Sequence, residues 1–210
     1  MDGLMLDTER LAMQSLRRAA QSLRLHFPNE LLIELIGLNE NDANALIEKR
    51  LGIPIPKEEL SVAFYQIYEE TISSNGIPIK AGLIELLDFL KEKNIKLGVA
   101  TSTKTDLAHK KLKLAGIQDR FDVIIGGDQV TQGKPAPDSY LKAANSLGVN
   151  VNHCLALEDS DNGAASANNA KIKVIVVPDI KTPSPETQSI AREILPSLVE
   201  VKEYISRYIS

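Results

Sequence analysis

Hydrophobic positions recur with helical spacing over the first third of the chain. Between residues 8 and 76, apolar residues fall three or four positions apart in LAMQSLRRAAQSL, ELLIELIG, ENDANALIEKRLG and KEELSVAFYQIYEETISS. This spacing is typical of amphipathic helices. Gly37, Gly52 and Gly76 follow such segments and are predicted to end them. Because this stretch shows no strand pattern, it is predicted to be almost wholly helical.

From residue 78 onward, short apolar runs alternate with helical segments. The predicted strands are IKLGVAT, FDVIIGG, HCLALE and KVIVVP. Strands that are apolar throughout and separated by helices indicate a parallel sheet covered on both faces. KTPSPETQ is predicted to be a loop, and SIAREILPSLVEVKEYISRY a closing helix. The predicted fold class is therefore α/β, with a Rossmann-like parallel sheet core and an inserted α-helical domain.

Composition narrows the partners that this chain can have. The 210 residues carry a net charge of −4, which provides no electrostatic footprint for nucleic acid or an anionic membrane. Neither a membrane-spanning run nor a signal-peptide pattern is visible, so a cytoplasmic location is expected. The single cysteine, Cys154, is interpreted as a small buried hydrophobe, and the three histidines lack the spacing of metal ligands.

Polar residues follow three of the predicted strands, where parallel sheets bind ligands. Thr101 and Ser102 suit a phosphate at a helix start, although they are equally suited to a plain helix cap. Lys134 lies between glycine and proline, which would fix the local backbone and so the direction of its ammonium group. The alternative is a solvated lysine in a loop. Glu158 and Asp159 are adjacent carboxylates that favour Mg²⁺, the alternative being a capped acidic turn.

A fourth polar segment, Asp2-Gly3, lies at the start of MDGLMLDTER. Acid with glycine, then hydroxyl, then lysine, then an acidic pair is the order of a phosphoryl-transfer site. In such a site a metal and a lysine neutralise the phosphoryl oxygens, while hydroxyl and N–H donors hold them. The order of these segments is more informative than any one of them.

These motifs resemble those of the haloacid dehalogenase (HAD) superfamily of phosphohydrolases, in its β-phosphoglucomutase-like branch with a helical cap. DGLMLDTE is similar to the end of the first family motif, VATST to the second, GKPAPDSY to the third and LALEDSDNGAASA to the fourth. The resemblance covers essentially the whole chain. It implies a hydrolase core at 1–9 and 79–210, and a helical cap domain at 10–78.

The resemblance also implies a role for each of the residues that match the motifs. Thr101 and Ser102 would bind the phosphate, and Lys134 would hold the nucleophile and phosphate together. Asp2 would be the general acid/base, with its backbone carbonyl facing Mg²⁺. The metal itself would bind Asp159, with Glu158 as a direct or indirect partner.

One departure from the family concerns the nucleophile. The first motif is Asp-x-Asp-Gly, whose first aspartate becomes the aspartyl-phosphate, and Met1 occupies the x. The strand that precedes it, central in the family's sheet, is also missing. Losing some four to six buried apolar residues forfeits on the order of 10 kcal/mol, which is comparable to the whole stability of a domain. We therefore expect little or no turnover from this chain, and replacement of the strand by other residues or a partner chain.

Three functions follow from these observations. The first is a Mg²⁺-dependent phosphatase of a small phosphorylated metabolite, active in a longer protein that supplies the aspartate. The second is a hexose-phosphate mutase, which is less favoured because Glu40 lies near the place of the phosphate-gripping cap arginine and Ala12 replaces the linker histidine. The third is a non-catalytic relic that binds phosphate or metal. A monomer and a homodimer are both compatible with the sequence.

Overall fold

The structure, a computed structural model, describes residues 1–36, 38 and 40–209. Contacts divide the chain into two compact units, residues 8–76 and residues 1–7 with 77 onward. The sequence placed these divisions at 10–78 and at 1–9 with 79–210. Gly37, predicted to end a helix, lies outside the described residues.

The unit at 8–76 is helical. It contains α1 (Thr8–Ser22), α2 (Asn29–Leu35), α3 (Glu40–Leu51) and α4 (Lys57–Asn75). Phe27, Leu32 and Ile47 are buried in its hydrophobic core. Gly52 and Gly76, with φ of 70° and 73°, follow α3 and α4 directly, as the sequence predicted. Glycine suits these positions because a positive φ is costly for residues with a side chain.

The second unit alternates helices with short strands. Its elements in chain order are α5 (Leu83–Glu92), β1 (Gly98–Ala100), α6 (Thr105–Leu114), β2 (Val123–Ile125), α7 (Asp138–Leu147), β3 (Leu155–Glu158), α8 (Asp161–Asn169), β4 (Lys173–Val176), α9 (Pro185–Ile190), β5 (Glu193–Ile194) and α10 (Leu198–Ser206). Each of the four predicted strands is present at a shorter length. The α/β class predicted from the sequence is confirmed.

The described strands form two parallel sheets rather than one. β1 pairs with β2, while β4 lies between β3 and β5. An intact five-stranded sheet is therefore not present among the described residues. The interruption falls between β1 and β3, and both strands are the outermost members of their sheets on that side.

The closing segment differs from the prediction. Instead of one helix over residues 189–208, the chain forms the end of α9, then β5, then α10. Pro196 cannot donate a hydrogen bond within a helix, and Ser197 caps α10 by accepting a hydrogen bond from the Val199 N–H at 3.1 Å. The predicted loop KTPSPETQ likewise contributes the start of α9, because Ser184 caps that helix through the Thr187 N–H at 3.2 Å.

Candidate functional site

A buried ion pair joins the carboxyl ends of β1 and β3. The Lys134 Nζ donates one hydrogen bond to the backbone oxygen of Ala100, at 3.0 Å, and another to the Glu158 carboxylate. Ala100 ends β1 and Glu158 ends β3. Lys134 lies in the turn between β2 and α7, so three segments that are distant in sequence converge here.

Tyr140, on the first turn of α7, completes the environment of Glu158. Its hydroxyl donates a hydrogen bond to Glu158 Oε1 at 2.6 Å. Burial alone raises the pKa of Glu158, but the charge of Lys134, the ammonium at the amino end and the two donated hydrogen bonds outweigh it, so the pKa lies below its usual value. Burial, together with the charge of Glu158, raises the pKa of Tyr140 well above its usual value. Glu158 is therefore ionised, and Tyr140 is a neutral donor.

A glycine in the first turn of α8 makes room for this carboxylate. A Cβ placed on Gly163 would lie 1.9 Å from Glu158 Oε2. Real Cβ atoms do not approach other atoms so closely, so any side chain here would displace Glu158 or shift α8. The motif LALEDSDNGAASA therefore combines the acid with the glycine that accommodates it.

Asp159 lies beside the backbone of Gly3. A Cβ on Gly3, whose φ is +75°, would lie 2.2 Å from Asp159 Oδ2. Burial raises the pKa of Asp159; the ammonium at the amino end opposes this, while the adjacent charge of Glu158 adds to it, so that the pKa reaches about 7. Repulsion between these two acids, which are adjacent in the sequence, is therefore one of the causes of the raised pKa of Asp159.

Asp2 is held by two residues of the segment that follows β1. Lys111 Nζ donates to Asp2 Oδ1 at 2.6 Å, and the Thr103 hydroxyl donates to Asp2 Oδ2 at 2.9 Å. Burial raises the pKa of Asp2, but the charges of Lys111 and of the amino end, with the two hydrogen bonds, lower it below its usual value. Asp2 is therefore a carboxylate in this arrangement.

The two residues expected to bind phosphate differ in exposure. Thr101 is only 5% exposed, and its Oγ1 accepts a hydrogen bond from the Thr103 N–H at 3.1 Å. Ser102 is exposed. The hydroxyl of Thr101 therefore shapes the loop that brings Thr103 to Asp2, and Ser102 is the more accessible of the two expected phosphate ligands.

Sequence analysis gave no role to Thr103, Lys111 or Tyr140. The signal for Lys111 was present in the helical spacing, because it shares the buried face of α6 with Ala108 and Leu112. A lysine on a buried face needs a partner for its charge. Tyr140 carried no comparable signal, since an aromatic residue near a helix start is ordinary in a hydrophobic core.

The site fits a hard cation in part. Asp159 fits by charge, because a cation would stabilise its ionised form beside Glu158. Because Gly3 has no side chain, its backbone can lie close to the Asp159 carboxylate. The side chains of Glu158 and Asp2 are instead bound by lysines. Within the described residues, no group of three acidic, histidine or cysteine side chains is arranged to hold a metal ion.

Among the residues that the structure describes, no helix combines the length and hydropathy needed to cross a membrane.

Comparison with known proteins identifies relatives along most of the chain. Residues 1–177 match the family described as haloacid dehalogenase-like hydrolase. A phosphorylated carbohydrates phosphatase of Thermotoga maritima is 33% identical over 177 residues, covering 83% of this chain and 81% of that protein. Among solved structures, a β-phosphoglucomutase of Clostridium difficile is 25% identical, with a TM-score of 0.71 over 98% of this chain and 92% of its own. CbbY of Rhodobacter sphaeroides in complex with phosphate is 27% identical, with a TM-score of 0.72 over 96% of this chain and 93% of its own.

Proposed function

Because the chain belongs to the haloacid dehalogenase-like hydrolases, we propose that its site serves a Mg²⁺-dependent phosphatase of a small phosphorylated metabolite, such as a sugar monophosphate. The reaction would proceed through an aspartyl-phosphate, as the resemblance implies. The similarity to a phosphorylated carbohydrates phosphatase supports this substrate class.

The observation that carries the proposal is the convergence of charge at the carboxyl ends of β1 and β3. The Lys134 ammonium contacts the last residue of each strand, and Asp159 follows β3 directly. A fixed cation beside an acid that favours a metal is the arrangement that stabilises phosphoryl oxygens. Ser102 and the buried Thr101 lie just past the end of β1, where donors for the same oxygens are needed.

Each residue has a distinct part in the proposed reaction. Lys134 neutralises charge on the transferring group, and its bond to Glu158 fixes its position. Mg²⁺ bound at Asp159 would supply further positive charge to the phosphoryl oxygens. Asp2, ionised and held by Lys111, can accept a proton from water. To protonate a leaving alcohol, Asp2 must first take up a proton and release Lys111.

Low turnover by the 210-residue protein is part of the proposal. A nucleophilic carboxylate must be free to attack phosphorus in line. The resemblance gives Asp2 the role of acid/base, and the Glu158 carboxylate is buried and bound by Lys134 and Tyr140, so neither is assigned as the nucleophile. The resemblance instead assigns the nucleophile to an aspartate directly before Met1.

A monophosphate is preferred to a bisphosphate because of the helical unit. Glu40 begins α3, and the resemblance puts it near the place of the cap arginine that grips a second phosphate, a group that a carboxylate would repel. Ala12, in α1, offers no proton-carrying group where the mutases have a histidine. The structural similarity to a β-phosphoglucomutase keeps the mutase as the second candidate.

The test joins five apolar residues and an aspartate ahead of Met1. With Mg²⁺ and para-nitrophenyl phosphate, we expect this extended protein to release phosphate and the 210-residue protein to release little. Asp2→Asn in the extended protein should lower kcat by about 10²-fold or more. Equal kcat values for the extended protein and its Asp2→Asn variant would refute the role of Asp2. Interconversion of hexose phosphates that needs a bisphosphate activator would favour the mutase.

A further inference from the structure

A cavity lies among the helices of the unit at residues 8–76. Its volume is about 400 Å³, and α1, α2, α3 and α4 all contribute to its lining. Protein interiors contain few voids larger than a water molecule, whereas small-molecule sites begin at about 300 Å³. A dry cavity of roughly 150 Å³ is already large enough to bind benzene. The cavity of the helical unit therefore has the size of a binding site for a small organic molecule.

Two of these helices line the cavity with the same spacing of residue types. Each presents a glutamate, then an alanine one turn later, then a branched aliphatic residue after a further turn: Glu9, Ala12 and Leu16 of α1, and Glu40, Ala43 and Ile47 of α3. Residues at such spacing lie on one face of a helix. Because an alanine side chain is a single methyl group, the two alanines leave space that larger side chains would fill.

The burial of the lining residues distinguishes the floor of the cavity from its mouth. Leu32, Ile47 and Leu60 are buried and belong to the hydrophobic core of the unit. Leu38 and Tyr65 line the same cavity but are 41% and 56% exposed. The cavity is therefore an apolar recess that opens to solvent, and it suits a ligand with an apolar body.

The charge of the lining is negative. Among the described residues that line the cavity, Glu9 and Glu40 are acidic and none is a lysine, arginine or histidine. Both glutamates lie in the first turn of their helices, whose amino ends each carry roughly half a positive charge. Two carboxylates and two such helix ends leave a net charge of about −1. The lining therefore favours a ligand with a cationic group.

Two aromatic rings of α4 also line the cavity. Phe64 and Tyr65 are in edge-to-face contact, with their ring centroids 5.0 Å apart and their planes at 63°. The face of an aromatic ring attracts a cation and also packs well against another flat apolar group. Aromatic faces recognise organic ammonium ions, so the rings favour the same charge as the glutamates.

We infer that the cavity of the helical unit binds a small organic cation, an arylalkylamine. Its apolar body fills the recess left by Ala12 and Ala43, and its ammonium group meets the carboxylate of Glu40. Glu40 is the more exposed of the two glutamates, so its carboxylate is accessible from solvent. The site consists of residues of the helical unit alone, and the inference does not depend on the proposed reaction.

The test uses the 210-residue protein and tryptamine, an indole that carries a primary ammonium group. Because the protein contains no tryptophan, indole fluorescence reports the ligand alone when it is excited where tyrosine does not absorb. We expect its fluorescence anisotropy to rise saturably with protein concentration, with a dissociation constant in the millimolar range or tighter.

Two further indoles isolate the effect of charge. 3-Propylindole has a body of the same size without charge, and indole-3-propionate carries a carboxylate in place of the ammonium group. Tryptamine should bind about threefold more tightly than 3-propylindole, which in turn should bind about threefold more tightly than indole-3-propionate, since these are the magnitudes of partly exposed ion pairs.

Protein variants locate the site. Glu40→Gln should weaken tryptamine binding about threefold and leave 3-propylindole binding unchanged. Asp42→Asn is the matched control, because Asp42 lies in the same first turn of α3 but does not line the cavity; it should change neither affinity. Ala43→Leu fills the recess and should weaken binding of all three indoles by at least about tenfold. If Ala43→Leu does not fold, as judged by its thermal unfolding, Ala12→Leu fills the same cavity from α1.

The outcomes decide between this inference and its alternatives. Tryptamine that does not bind saturably in the millimolar range would overturn the inference. Equal affinities for the three indoles, or equal effects of Glu40→Gln and Asp42→Asn, would overturn the cationic class of the ligand. Unchanged binding by a folded cavity-filling variant would place the ligand elsewhere and overturn the site. All of these measurements are made without Mg²⁺ or a phosphate ester, so their failure is distinguishable from failure of the proposed phosphatase.

Discussion

Replacing Asp159 by asparagine should stabilise the metal-free protein. Its carboxyl pKa rises from 3.8 to about 7, through burial and the neighbouring charge of Glu158. At about 1.36 kcal/mol per pKa unit, this rise of roughly 3 units corresponds to about 4 kcal/mol. Because Asp159 is partly exposed, screening by water reduces the expected gain to about 2–4 kcal/mol.

The sign of this effect fixes its pH dependence. An acid whose folded pKa is raised disfavours the folded state once pH exceeds its unfolded pKa, and the penalty is complete above the folded pKa of about 7. The gain from Asp159→Asn should therefore be full at pH 8. At pH 5 it should fall to roughly a third, because the folded carboxyl is then mostly protonated.

The assay is thermal unfolding in EDTA at pH 8 and pH 5. We expect Asp159→Asn to melt on the order of 5–10 °C above the wild type at pH 8, and by much less at pH 5. Added Mg²⁺ should raise the melting temperature of the wild type but not of the variant. A gain that is absent at pH 8, or equal at both pH values, would refute the electrostatic reasoning.

Asp161→Asn is the matched control, two residues further on. Hydrogen bonds from the Thr187 side chain and from the Ser184 N–H lower the pKa of Asp161, despite an opposing effect of burial. Its folded pKa is depressed, so its contribution to stability is present above the unfolded pKa and is lost as pH falls. Asp161→Asn should therefore not raise the melting temperature at pH 8.

Substitutions at three further positions test the contacts of the site. Lys134→Met leaves the buried charge of Glu158 unpaired and should lower the free energy of unfolding in urea by about 3–5 kcal/mol, whereas Lys134→Arg should lose less. Gly3→Ala places a methyl group 2.2 Å from Asp159 Oδ2 at a φ of +75°; it should cost about 1–3 kcal/mol and abolish the Mg²⁺-dependent rise in melting temperature. Lys111→Met should raise the pKa of its partner carboxylate toward or above the usual value, as measured by carbon-13 NMR titration.

The chain's local patterns were sufficient to predict most of its elements. Helical spacing and glycine stops located the four helices of residues 8–76, and apolar runs located β1 to β4. Each of these patterns is contained within a short segment of the sequence, so no tertiary information is needed to detect it. The prediction failed where local rules conflict. The helical pattern of the closing segment continues through Pro196. In the structure, that proline and the pairing of β5 with β4 divide the segment into the end of α9, β5 and α10.

The sequence also determined which chemical groups the site contains. Lys134 and Asp159 were identified because each follows a predicted strand, and parallel strands bring their carboxyl ends to one edge of a sheet. Asp2 was identified from its place in a segment that resembles the end of the first family motif. Their roles in catalysis stay predictions. The family itself is shown by the match over residues 1–177.

Only the tertiary structure decided how these groups are paired. Lys111 is 109 residues from Asp2, and Lys134 is 24 residues from Glu158, so no local pattern could show that they form ion pairs. The interruption between β1 and β3 is likewise a property of strand order in space. Sequence specifies side chains and local geometry, whereas burial and the approach of residues distant in the sequence set the charge state of each acid.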